Sequence, residues 1–132
     1  MLQKFRVQTK TRNTMIDVTA EVQRAIERSG VKSGLACIFT PHTTAAITIN
    51  EHDDPDVARD IWATLEKLIP QEGDYRHYED NSDSHIKSTL AGCSQTVIIE
   101  DGQVVLGTWQ GVFFCEFDGP RQRRLRVKVV AD

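Results

Sequence analysis

Apolar and polar residues alternate along this chain with two different periods, and the switches between them mark its elements. Phe5 and Val7 alternate with Arg6 and Gln8, which predicts a strand over residues 4–9. Met15 and Ile16 predict a short second strand. Val18, Val22, Ala25 and Ile26 then recur at helical spacing, and Gly30 just past Arg28 is a natural stop. Leu35, Cys37, Ile38 and Phe39 predict a buried strand over 34–40, and Ile47 and Ile49 around Thr48 predict another over 45–50. Between them, Pro41-His42-Thr43-Thr44 reads as a bend within a long hairpin. Asp54-Pro55 opens a second main helix, because Asp caps free amides and Pro suits the first helical position. Its apolar face is Val57, Ile61, Leu65 and Leu68, and Pro70 ends it. A polar stretch over 71–83 leads to a short helix over 84–90, closed by Gly92. Strands are expected over 96–100 and 104–106, joined by the tight-turn pair Asp101-Gly102. Two more follow, over 111–117 and where Leu125, Val127 and Val129 alternate with Arg124, Arg126 and Lys128. Strands broken by two main helices, then a strand-rich end, predict an α+β fold with mostly antiparallel pairing.

Composition narrows this picture. One domain over 1–132 is expected, since the 132 residues contain no linker, low-complexity tract or repeat. A formal net charge of -3 gives no general attraction to nucleic acid or anionic lipid. No apolar run reaches the roughly 20 residues of a membrane span, and the first residues lack a signal-peptide core. Neither nucleic acid nor a membrane is therefore an expected partner. Cys37, Cys93 and Cys115 form no CxxC pair. They read as small buried hydrophobes in a reducing, cytoplasmic setting.

The candidate chemistry sits at element ends. His42 has hydroxyl neighbours Thr43 and Thr44, which are either β-formers or donors to phosphate oxygens. His85 follows Asp83 at a helix start, where free amides attract anions. His52, within Glu51-His52-Asp53-Asp54, reads as bonded to backbone or exposed, and His77 is less distinctive. Asn81 or Asp83 is expected to cap the following helix. Glu51 and Glu116, near strand ends, are open to three roles: ligand to a cation, base, or partner of an arginine. Arg121, after Gly119-Pro120, is either a surface arginine or a guanidinium fork aimed at phosphate. Arg124, Arg126 and Lys128 read as a solvated strand face. Trp109 and Gln110 lie between Gly107 and Gly111, which suits either core packing of the indole with a bulge or close approach of a ligand or subunit.

Four runs together resemble the YjbQ-like family, small proteins described as secondary thiamine-phosphate synthases. They are His42-Thr43-Thr44-Ala45 continuing through Glu51 to Val57, Asn81 to Lys87, Leu106 to Gly111, and Glu116 to Arg121. The resemblance spans about Gly34 to Val130. It implies a single-domain β-sandwich that forms a homotrimer and takes a small phosphorylated ligand. It implies coupling of a pyrimidine pyrophosphate to a thiazole phosphate, as a main or side activity. The catalytic residues would be His42, Asp83, His85 and Glu116. Substrate would meet Thr43, Thr44, Glu51, Asn81, Trp109, Gln110 and Arg121. A divalent metal, zinc by ligand preference or else magnesium, would sit on His42, His77 and His85. Asp80 stands where the family usually has glycine, which changes the freedom of that loop. Alternatives are a metal-dependent hydrolase of a small phosphorylated or amide substrate, a non-catalytic trimeric metal- or anion-binding module, and a structural oligomer.

Overall fold

Among residues 2–132, which the computed structural model describes, eight strands and three helices form. In chain order they are β1 (Leu2–Gln8), β2 (Thr14–Asp17), α1 (Thr19–Ser29), β3 (Gly34–Phe39), β4 (Ala45–Glu51), α2 (Pro55–Leu68), α3 (Ser82–Ala91), β5 (Ser94–Glu100), β6 (Gln103–Val105), β7 (Gln110–Glu116) and β8 (Gln122–Ala131). Two sheets result, one ordered β1-β8-β3-β5-β6 and one ordered β2-β7-β4, with every strand pair antiparallel. The expected α+β class and single sandwich hold.

Alternation decides what each sheet face meets. Ile38, Val97, Ile99, Leu125 and Val127 point inward from the larger sheet against Ile47, Val112 and Phe114 of the smaller. Helix α1 adds Val22, Ala25 and Ile26 to this core. The smaller sheet's other face carries Phe113, Cys115 and Phe117, which pack with Trp62 of α2 and Ala91 of α3. Helix α2 begins as its sequence predicts, with Asp54 Oδ1 accepting from Asp56 N at 2.9 Å and Pro55 in the first turn. Asp101 and Gly102 both have positive φ, 52° and 72°, the backbone of a two-residue hairpin turn joining β5 to β6.

Three expectations are corrected. β3 and β4 do not form a hairpin: β3 pairs with β5 and β8, and β4 pairs with β7. Pro41-His42-Thr43-Thr44 instead carries the chain from one sheet to the other. Of the cysteines, only Cys115 is buried; Cys37 falls on the outward parity of β3, and Cys93 lies in the bend before β5. Burial pushes the Cys115 thiol up to about 12. The indole of Trp109 is exposed rather than packed in the core.

The larger sheet's outer face has a second pattern. Val105, Ile98, Leu35 and Val130 align across β6, β5, β3 and β8, and each is 48–55% exposed. Scattered exposed apolar residues are ordinary, but a row across four strands is a patch. Among the described residues no helix is long and apolar enough to cross a membrane.

Candidate functional site

The sheet crossover, the start of α3 and the β7–β8 link meet at one end of the sandwich. They enclose a polar pocket of about 320 Å³ bordered by His42, Thr43, Asn81, His85, Asp118 and Arg121, with Arg123 at its base. A cleft of about 590 Å³ adjoins it along His42, Thr43, His85, Ser88 and Cys93. A third depression, about 560 Å³, lies beside Tyr75, His77 and His85. His85 borders all three. The family motifs at 42–44, 81–85 and 118–121 therefore do converge, although they lie far apart in the chain.

Two of the expected catalytic carboxylates are not free. Glu116 is fully buried, and both its oxygens are saturated. Oε1 accepts from Arg123 Nε at 2.8 Å and Thr9 Oγ1 at 2.7 Å. Oε2 accepts from Asp118 N at 3.0 Å and from Arg123 Nη2. Arg123 Nη2 also donates to Thr44 Oγ1 at 2.8 Å. Burial alone would raise the Glu116 pKa, but the bonds from Arg123, Asp118 and Thr9 outweigh it and hold it below the usual carboxylate range. Asp83 is similar. Arg12 grips it through both oxygens at 3.0 and 3.1 Å, and the buried Lys87 ammonium adds a third bond at 3.1 Å. Burial again opposes ionisation and these partners overcome it, lowering the Asp83 pKa. Such carboxylates make poor bases; they brace the site's walls.

The chemistry is left to the imidazoles, amide and guanidinium that line the pocket. Arg124 N–H donates to His42 Nε2 at 3.0 Å, so the neutral ring carries its proton on Nδ1. Burial first, then the charges of Arg123 and Arg124, lower the His42 pKa and favour that neutral form. The rings of His77 and His85 stand perpendicular with centroids 5.5 Å apart, and His77 Nε2 lies 3.7 Å from Glu79. Those two imidazoles are near enough to share an ion. His42 does not fit as the third ligand, because its Nε2 lone pair is already taken. Among the described residues no group of three or more His, Cys, Asp or Glu side chains is disposed to hold a metal.

Arg121 is half-exposed and held by its neighbour, with Nε donating to Asp118 O at 2.7 Å and Nη2 to Asp118 Oδ2 at 3.1 Å. Asn81 Nδ2 donates to the same Oδ2 at 2.8 Å. Asn81 Oδ1 is buried and finds no donor among the described residues. Neither Asn81 nor Asp83 caps α3 with its side chain, contrary to expectation: Asn81 is turned to Asp118, and Asp83 lies inside the helix facing Arg12. Asp80 adopts φ 60°, the left-handed region where glycine is at home. Gly119 is required by packing, since a Cβ there would collide with Thr11 O and Thr9 Oγ1.

The remaining expected residues lie elsewhere. Ala45 pairs with Glu116 at the pocket end of β4 and β7, whereas Glu51 pairs with Gln110 six residues on. At strand rise that is about 20 Å away. There Glu51 accepts from Asp54 N, Gln110 Oε1 accepts from Gly107 N, and Trp109 O accepts from His52 N. Within one chain, Glu51, Trp109 and Gln110 do not join the pocket. His52 has a partner that its neighbours in sequence do not disclose: its Nδ1 lies 2.7 Å from Asp17 Oδ2. Its ring covers Gly111, where any Cβ would clash with it.

Arg12, Lys87, Asp118 and Arg123 are the residues that sequence reasoning missed. For Arg123 a signal existed. It shares the inward parity of Leu125, Val127 and Val129, so a buried arginine needing a carboxylate was readable.

Comparison with known proteins agrees with this fold. Residues 3–132 match the family described as UPF0047 protein YjbQ-like. A UPF0047 protein of Methanocaldococcus jannaschii is 54% identical over 132 residues, covering all of this chain and 96% of the relative. The UPF0047 protein YugU of Bacillus subtilis is 47% identical, covering 98% of this chain and 99% of its own. A crystal structure of a family member from Clostridium acetobutylicum superposes with a TM-score of 0.96 at 52% identity, covering 97% of this chain and 99% of that one.

Proposed function

The chain belongs to the UPF0047 YjbQ-like family, and from that premise we propose that its pocket binds small phosphorylated molecules and couples a pyrimidine pyrophosphate to a thiazole phosphate. The observation that carries this reading is the convergence of His42, Asn81, His85 and Arg121 around one polar pocket. In the coupling, the bond from the pyrimidine's methylene carbon to the pyrophosphate oxygen breaks, and the electron pair leaves with pyrophosphate. The thiazole nitrogen supplies the pair for the new C–N bond. No proton has to move. The reaction asks for orientation and for neutralisation of the leaving charge. Arg121, the Nδ1–H of neutral His42 and the Thr43 hydroxyl are donors of that kind. A hydrolase would need a base or a metal-bound water. The saturated carboxylates Asp83 and Glu116 offer no such base, so hydrolysis would have to rest on an imidazole, whereas coupling needs no base at all.

The test is turnover of the two phosphorylated substrates, followed by thiamine phosphate formation. Wild-type protein forms the product, and His85→Ala lowers turnover at least tenfold while keeping its circular dichroism. Inorganic phosphate released without coupling would instead identify a hydrolase. Tight binding of pyrophosphate with no turnover would identify a binding module.

The trimer implied by the resemblance belongs to the same proposal. The row Val105, Ile98, Leu35 and Val130 is the surface we assign to contact between copies. Light scattering of the 14.9 kDa chain then reports three copies. Ile98→Lys, a change at an exposed position, reduces that to one copy with the fold intact. A trimer that survives this change would place the contact elsewhere.

A further inference from the structure

The link between β1 and β2, residues 9–13, belongs to none of the four motif runs, yet it bonds to two walls of the polar pocket. One wall is the β7–β8 link that carries Asp118 and Arg121. Thr9 N–H donates to Arg121 O at 2.9 Å, and the Thr9 hydroxyl accepts from Arg121 N at 2.8 Å. Arg12 O accepts from Gly119 N at 3.0 Å. The other wall is the start of α3, which carries Asn81 and His85. There the Arg12 guanidinium takes one oxygen of Asp83 with each terminal nitrogen, at 3.1 and 3.0 Å. Its Nη2 also donates to Ser84 Oγ at 3.3 Å, and that hydroxyl donates to Phe117 O at 2.6 Å. Arg12 thus joins the two walls, with its backbone on the turn and its side chain on the helix.

Two further observations show what this grip does. Helix α3 has no side-chain cap, the device that usually fixes a helix's first turn. The His85 ring, in turn, makes no hydrogen bond among the described residues and meets only the His77 ring, edge-on. The aim of His85 is therefore set by the backbone of that first turn, and Arg12 holds the two residues just before it. Charge balance is not what Arg12 supplies, because the Lys87 ammonium already bonds Asp83 at 3.1 Å. Arg12 adds a planar fork, which fixes direction as well as distance.

We infer that Arg12 is a positioning residue for the pocket, one that sets the span between His85 and Arg121 by clamping α3 to the Gly119 turn. Its effect on turnover passes through His85, and that part rests on the coupling activity proposed above. Its hold on the His85 ring does not depend on which reaction the pocket performs.

Two readouts on the full chain test this. Arg12→Ala should lower turnover of the two phosphorylated substrates roughly tenfold, the scale of a small misplacement in a reacting geometry. Arg12→Lys keeps the charge without the fork and should recover part of that loss. In a His85→Ala background, Arg12→Ala should cost nothing further. The second readout is the His85 ring resonances, identified by their disappearance in His85→Ala. They should shift in Arg12→Ala, while those of His52, beyond the far end of β4, stay in place. An equal fractional loss of turnover with and without His85 would make Arg12 a support of the fold alone and overturn the inference. Unmoved His85 resonances would overturn it as well. If the wild-type protein shows no turnover, the coupling activity fails and the ring spectrum alone judges Arg12. If Arg12→Ala does not fold, Arg12→Lys carries the same comparisons, since it leaves Asp83 a second cation.

Discussion

Replacing Arg123 with alanine lowers the free energy of unfolding by about 3–5 kcal/mol, the largest effect expected of any single polar substitution here. The cost arises from what stays behind. Glu116 would remain buried, having lost the bonds to both its oxygens that Arg123 supplies. Thr44 Oγ1 would lose its donor as well, loosening the crossover that carries His42. Removing both charges is less harmful than removing one. The double variant Arg123→Met with Glu116→Leu should recover part of the loss, although Thr9 and Asp118 N would then need new partners. Urea denaturation of the single and double variants measures this. If Arg123→Ala costs under about 1 kcal/mol, the pair is not the brace described above, and Glu116 becomes available for chemistry.

The same pair sets the response to acid. Glu116 and Asp83 have folded-state pKa values below their unfolded ones. Between the two values the unfolded chain binds more protons. Their contribution is therefore complete above the unfolded carboxylate range of about 4, and it disappears as pH falls through the lower folded values. In the Arg123→Ala protein much of that acid sensitivity is already gone, because the carboxylate no longer has its main stabilising partner.

What the residues announced, and what they hid, follows from range. The parity of β8, the cap of α2 and the Asp101-Gly102 turn are local, and each formed where its pattern put it. The supposed β3–β4 hairpin failed because the partners of β3 lie far along the chain, in β5 and β8, and no local signal encodes that choice. The site divides in the same way. His42, Asn81, His85 and Arg121 could be picked out by type and position; an arginine partner for Glu116 and Lys87 one turn from Asp83 were also readable, but not the grip of Arg12 on Asp83. Commitment depends on tertiary contacts more than 70 residues away in the case of Arg12. Glu51, Trp109 and Gln110 belong to the same motifs in sequence, yet strand length alone separates them from the pocket. For those three, a shared site requires a second copy. His52, set aside as backbone-bonded or exposed, gained Asp17 because β2 runs alongside β7, with β4 on its far side.

Arg121→Ala has the opposite signature to Arg123→Ala: little change in stability and a large change in binding. Its side chain is 54% exposed, and an ion pair so open to solvent contributes roughly 0–1 kcal/mol to folding. Yet Asp118 holds the guanidinium at the pocket's edge through Nε and one terminal nitrogen, which limits its freedom before any ligand arrives. A charge-assisted bond from it to a phosphate oxygen is worth about 1.5–3 kcal/mol, or roughly ten- to a hundredfold in affinity. Titration calorimetry with pyrophosphate should therefore show that loss in Arg121→Ala, with an unfolding midpoint close to wild type. Arg121→Lys should restore only part of the affinity, because an ammonium keeps the charge and loses the planar fork. Equal pyrophosphate affinity in wild type and Arg121→Ala would mean that the anion is held elsewhere. In that event Asp118, which already satisfies this guanidinium, would be its only real partner, and the turn at Gly119-Pro120 would serve the fold alone.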